Sequence, residues 1–187
     1  MHKKKSLKVS LILAVLCFAY QTSCIAYPKS PDTSPSKHDF FHTFSGSLST
    51  EIALATKENK FGLVLFFGTQ HCRFCHRMKG TVLNQETVKQ TYQQHFKSFD
   101  IDIESAQMLT DEQNIKVSYK DYAKTHRIRL TPTIVFLNLQ GESVYRQVGI
   151  IADPQEFIWL AEYVANGHTN KQSFAAFKMN KRRNSQP

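Results

Sequence analysis

The spacing of hydrophobic and polar positions changes along this chain, and each change marks an element. From Ser47 the apolar positions Leu48, Ile52 and Leu54 or Ala55 recur at helical spacing, and the pattern ends near Asn59. Residues 63–67 form a continuous apolar run bounded by Gly62 and Gly68, which predicts a strand buried on both faces. Strands of that kind belong mostly to parallel or mixed sheets flanked by helices. Residues 76–82 suit a helix, and Asn84 can cap a second one from Gln85 to about His95. Residues 96–103 alternate, with Phe99, Ile101 and Ile103 on one side, and predict a second strand. Residues 104–117 fit either a loop or a small hairpin. Ser118, with Asp121 three positions on, resembles a capping box opening a helix to about His126. Residues 133–138 and 143–148 read as two strands joined by a connection short enough for a hairpin. Asp153 as cap, Pro154 at the first helical position and Gly167 as terminator bracket a last helix. Its Phe157, Ile158, Ala161, Val164 and Ala165 make one apolar stripe. No internal repeat is visible.

The two ends follow other rules. Lys3, Lys4, Lys5 and Lys8 accompany a short apolar run at 9–20, and Cys24 and Ala26 set small residues where a signal peptidase inspects the chain. Residues 1–26 are therefore expected to be a signal peptide and the mature protein to be exported. The run is shorter than the roughly 20 residues that cross a bilayer, so no permanent membrane span is expected. A lipoprotein ending at Cys17 or Cys24 is the alternative, although neither cysteine follows a good lipid-attachment box. Pro28, Pro31 and Pro35 keep 27–46 from becoming helical, which makes that stretch a linker or loose arm. One domain over 47–167 suits the chain length of 187 residues. The basic tail 168–187 follows, and its first half, with Phe174 and Phe177, is expected to pack on the domain.

Charge alters this picture little. The chain carries 24 Lys and Arg against 15 Asp and Glu, for a net charge of +9. Loss of the four signal-peptide lysines would leave 20 against 15. Part of the remainder sits in Lys178, Lys181, Arg182 and Arg183, which read as a solvated end. Nucleic-acid binding would need a basic face with interleaved aromatics, so no nucleic-acid partner is expected.

Chemistry concentrates in the stretch Cys72-Arg73-Phe74-Cys75-His76. As C-x-x-C-H it is a c-type haem attachment signature, and as C-x-x-C it is a redox dithiol. Cys17 and Cys24 would leave with the signal peptide, so Cys72 and Cys75 would be the only mature cysteines. A bridge across two residues closes a tiny loop and removes little chain entropy, so reactivity explains the pair better than stability does. A haem would take His76 as an axial ligand in a mostly helical domain, whereas here a buried strand precedes the motif and a hairpin follows it. A zinc site needs four well-placed ligands, and His71 and His76 each adjoin a cysteine. Neither a metal nor another cofactor is expected.

The order of these elements resembles the thioredoxin fold over about Ser47 to Gly167. The residues that carry the likeness are Phe66-Phe67-Gly68, the Cys72 to Cys75 motif opening a helix, and Thr131-Pro132-Thr133 before the hairpin. The stretch from Cys72 to Met78 and the tail from Gly167 to Phe177 are most similar to bacterial periplasmic thioredoxin-like proteins of the sulfur-oxidation type. The resemblance implies an α/β fold with a central mixed sheet flanked by helices. It also implies a periplasmic thiol-disulfide oxidoreductase in which Cys72 attacks and Cys75 resolves, acting on protein disulfide or dithiol substrates. Thr131, before a cis Pro132, would pair with a bound substrate peptide. Arg73 and His76 would lower the Cys72 thiol pKa, as would the helix N-terminus. A reductase fed by a membrane electron donor is the leading expectation. A disulfide oxidase or isomerase and a non-catalytic assembly module are the alternatives. Two departures bear on direction. Thioredoxins carry a buried Asp six residues before the first cysteine, where this chain has Phe66, and they carry Gly-Pro and a preceding Trp where it has Arg73-Phe74 and His71.

Overall fold

The apolar run at 63–67 becomes the centre of a sheet. In the computed structural model, which describes residues 39–184, strand β1 (Gly62–Gly68) is buried along its whole length. It pairs in parallel with β2 (Phe96–Asp102) and antiparallel with β5 (Thr133–Asn138), and β5 pairs antiparallel with β6 (Ser143–Val148). The order β2-β1-β5-β6 makes the sheet mixed. Because side chains alternate along a strand, the sheet sorts its apolar residues into two cores. Val64, Phe66, Phe96, Ile134 and Phe136 line one face, and Leu63, Leu65, Phe67, Phe99 and Ile101 the other.

The first face is covered by α3 (Glu86–His95) and α5 (Pro154–Ala165). Tyr92 of α3 stacks on Phe157 of α5 with ring centroids 4.3 Å apart and donates its hydroxyl to the Phe157 carbonyl at 3.0 Å. The second face is covered by α1 (Leu48–Lys57), α4 (Tyr119–Thr125) and the hairpin β3 (Met108–Thr110) and β4 (Lys116–Ser118). That hairpin decides the open reading of 104–117. Ser118 caps α4 by accepting the Asp121 amide at 3.0 Å, and Asp153 caps α5 by accepting the Gln155 amide at 2.8 Å.

Several local expectations are corrected. Asn84 caps nothing: α3 starts one residue later, with Gln85 at the cap position and no side-chain bond there. The helix expected from His76 starts earlier, between the cysteines, as α2 (Arg73–Met78), and it widens into a π-helical turn, Lys79–Leu83. In α1 the inward positions are Leu48, Glu51 and Ala55, while Leu54 faces solvent. Glu51 tolerates burial because Lys97 of β2 reaches it at 3.6 Å and the Ser45 amide donates to it at 2.9 Å.

The arm expected at 27–46 lies mostly outside the described residues, as does the expected signal peptide 1–26. Its last part is not loose. Phe40 is buried against Tyr92 and Phe157, and Phe41 meets the edge of Phe66. Aromatic anchors there outweigh the polar composition that suggested a linker.

At the other end, Gly167 takes a left-handed φ of 63° and stops α5. α6 (Phe174–Asn184) then folds back, burying Phe174 and Phe177 against Tyr163. This second covering explains why Leu160 and Tyr163 are buried beside the expected stripe of α5, whereas Ile158 is only half-buried. The basic tail cluster is not simply solvated. Lys178 and Arg182 pair with Glu156, and Lys181 pairs with Glu162 at 2.5 Å.

Candidate active site

Strand directions gather the chemistry-bearing segments at one end of the sheet. β1 and the parallel β2 both finish there, and the antiparallel β5 begins there, beside the end of β6. Phe67 faces Thr133 in the register, so one further step sets Gly68 against Pro132. The Thr131–Pro132 bond is cis, and the Gly149 amide donates to the Pro132 carbonyl at 2.8 Å.

Cys72 and Cys75 follow directly from β1 and are joined as a disulfide, with Cα atoms 5.2 Å apart. Cys72 is the N-cap of α2, and its Sγ accepts the Cys75 amide at 3.1 Å. A cysteine in that position stands where unpaired helical amides favour an anion. Cys72 is 9% exposed and Cys75 2%, so the first sulfur is the more accessible.

Gly68 backs the pair. A Cβ built there would lie 3.3 Å from Cys75 Sγ and 3.5 Å from the Phe66 ring, so the close approach of the strand to Cys75 depends on a missing side chain. Sequence reading missed this role, whose only signal was the glycine ending an apolar strand.

The two residues expected beside the thiols lie on the same short helix. Arg73 is exposed on the first turn of α2. His76 turns its ring to the loop: Nε2 donates to the Gln70 carbonyl at 2.8 Å. A hollow of about 410 Å³ beside it is lined by Gly68, Gln70, His76, Lys79, Asp100 and Asp102 among others. Asp100 lies opposite Phe66 in the sheet and pairs with Lys79 at 2.5 Å. Lys79 also stands over the Phe66 ring, 5.3 Å from its centroid. Where thioredoxins bury a carboxylate, this chain therefore has a ring under an ammonium, and the nearest ionic pair sits one strand away. Phe74, between the cysteines, is 57% exposed and presents an apolar surface beside them. Among the described residues, no group of three or more His, Cys, Asp or Glu is positioned to hold a metal ion. None of the described helices is long and apolar enough to cross a membrane.

With this geometry in hand, comparison with known proteins is specific at one level. Residues 48–165 match the family model of the thioredoxin-like domain. Among solved structures, the chain is similar to a thioredoxin-fold protein from Helicobacter pylori, with TM-score 0.64 and 21% identity over 81% of this chain and 98% of that one. It is similar to DsbH oxidoreductase, with TM-score 0.54 and 14% identity over 76% and 96%. A thioredoxin from Thermus thermophilus gives TM-score 0.50 and 23% identity over 62% and 81%. At such identities the likeness shows the fold. No curated protein matches the sequence significantly.

Proposed function

The chain belongs to the thioredoxin-like domain family, and on that premise we propose that it is an exported, periplasmic thiol-disulfide oxidoreductase that reduces disulfides in protein substrates. The observation that carries this reading is the dithiol itself: Cys72 at the cap of α2, more exposed than Cys75, at the sheet end where Thr131 and Pro132 begin β5. Export rests on the basic and apolar pattern of residues 1–26. The likeness of residues 72–78 to the sulfur-oxidation type remains one of motif.

In the reduced protein the amides at the start of α2 face the Cys72 sulfur and favour its thiolate, and Arg73 and His76 add positive charge on the same helix. Its thiolate attacks one sulfur of a substrate disulfide; that bond breaks, and the departing substrate thiolate takes a proton. Cys75 then loses its proton to water, attacks Cys72 Sγ and releases the second substrate thiolate. Substrate gains two electrons and two protons, and the protein is left as the Cys72–Cys75 disulfide. A dithiol on a membrane electron conductor would restore it by the same exchange. Thr131 would align the substrate by pairing main chain to main chain.

A second reading, disulfide oxidase or isomerase, is favoured by Phe66. With an apolar ring in place of a carboxylate beside Cys75, that position contributes no negative charge against the Cys72 thiolate, and a stabilised thiolate makes a stronger oxidant. A non-catalytic assembly module would bind partners without turnover. Equilibrium of the pair against glutathione separates the first two: a potential near about −270 mV supports the reductase, and one near about −120 mV the oxidant. Cys75→Ser should accumulate mixed disulfides through Cys72. Failure of the protein both to reduce any disulfide when reduced and to oxidise any dithiol when oxidised would leave only the binding module.

A further inference from the structure

Resting on the proposed reductase reading, we propose that the preferred substrates carry acidic residues next to their disulfide cysteines, captured by a cationic cleft beside the Thr131–Pro132 loop. The cleft, of about 110 Å³, is lined by Arg127, Arg129, Leu130, Thr133, Arg146 and Val148. Leu130 and Thr133 flank Thr131 and Pro132 in the chain, and Val148 faces Thr133 across the β5–β6 pair. The cleft is thus continuous with the segment that would align a substrate strand. A neighbouring hollow of about 340 Å³ shares Arg127 and Arg129 and adds Lys120 and Lys124. No carboxylate lines either hollow, and none of the salt bridges among the described residues involves these five cations.

The backbone holds this arrangement open. Arg127 has a left-handed φ of 53° and Ile128 is buried, so the chain is anchored between two outward arginines. Arg146 donates from Nη2 to the His126 carbonyl at 2.9 Å, which fixes its guanidinium at the rim with further N–H groups free. A fixed planar guanidinium suits a carboxylate, which it can hold through two parallel hydrogen bonds. Leu130 is 65% exposed and Val148 50%, giving apolar flanks to the charged floor. Extended peptide with a carboxylate one or two residues from its cysteine meets all three features at once: main chain along Thr131, apolar contact at Leu130, and an anion at Arg129 and Arg146. A cleft of this volume admits a side chain, not a duplex backbone, and that favours a peptide over nucleic acid.

Three looped peptides, each with one disulfide and with Glu, Gln or Lys beside the cysteines, test this with the full reduced protein in single-turnover reactions. Each reaction transfers two electrons from the Cys72–Cys75 dithiol to the peptide disulfide. The acidic peptide should react about tenfold faster than the neutral one at low salt, as electrostatic steering allows, and the advantage should shrink as ionic strength rises. The double variant Arg129→Glu, Arg146→Glu should invert the ratio of acidic to basic rates. A folding defect would lower both rates together and leave their ratio alone. Equal rates for the three peptides, or an acidic preference that survives the double variant, would overturn the proposal. Absence of reaction with every peptide and with hydroxyethyl disulfide would instead overturn the reductase reading on which it rests.

Discussion

His42 shows how one residue carries a pH dependence the sequence did not announce. Its Nδ1 accepts the Ser98 amide at 3.1 Å, while its own amide donates to the Ser98 carbonyl at 2.8 Å, stitching the entering segment to β2. Burial pushes its pKa below the ordinary 6.5, and the nearby Lys97 pushes the same way. His95 is lowered too, first by burial. Between the lowered folded values and 6.5 the unfolded chain binds protons that the folded one does not, so stability falls as pH drops through that window and levels off below it. Urea midpoints should therefore decrease from about pH 7.5 to about pH 5.5, and less steeply in His42→Gln. A slope unchanged in the variant would show that His42 does not carry this dependence, and a midpoint that rises on acidification would overturn the sign. Cys72 and Cys75 were legible at this scale because their spacing is itself the chemistry. His76 was legible as a neighbour only, since nothing in the sequence says that Gln70 takes its ring.

Among elements, β1 is the one on which the others are hung, and Gly62 is a point where β5 leaves no room for a side chain. A Cβ there would lie 1.9 Å from the Leu137 carbonyl oxygen and 3.2 Å from Asn138 Cα, both backbone atoms of β5. Backbone in a paired strand cannot yield as a side chain can. Gly62→Ala should cost about 3 kcal/mol or more, at the upper end of overpacking. Gly80, in the π-helical turn, has open space around its Cβ direction, and Gly80→Ala should be neutral or stabilise by up to about 1 kcal/mol. Chemical denaturation of the two variants checks the contrast; a mild Gly62→Ala would mean that β1 and β5 sit farther apart than this register brings them. Both glycines are plain in the sequence. Their opposite tolerance is not, because it depends on which strand lies alongside.

In the whole molecule, stability and chemistry lie at opposite ends of the sheet. Lys97, nearly buried, pairs with Glu51 at 3.6 Å and Glu58 at 3.4 Å, and it stands opposite Leu63 at the start of β1. The dithiol follows Gly68, about 17 Å farther along at roughly 3.3 Å per residue. Lys97→Met would leave the Glu51 carboxylate buried with only the Ser45 amide as partner, at a cost of about 3 to 5 kcal/mol. The double variant Glu51→Gln, Lys97→Met should cost less, because no unpaired charge remains. In each variant the folded protein should keep the wild-type rate of Cys72 alkylation after reduction. A changed alkylation rate would mean that the two ends are coupled through the sheet.

Sequence alone determined what short-range chemistry decides. The buried run at 63–67, the caps at Ser118 and Asp153, the hairpin of β5 and β6 and the Cys72–Cys75 pair each rest on residues within a few positions of one another. Tertiary structure decided what depends on register and closure. It set Asp100 opposite Phe66 and buried Phe40 beneath two helices that come later in the chain. It also brought Arg127 and Arg129 to the same cleft as Arg146, which lies on the returning strand of the hairpin. The reason is physical: a cap or a turn is satisfied by its own neighbours, whereas burial and charge contact are satisfied by whichever distant strand or helix the pairing brings alongside.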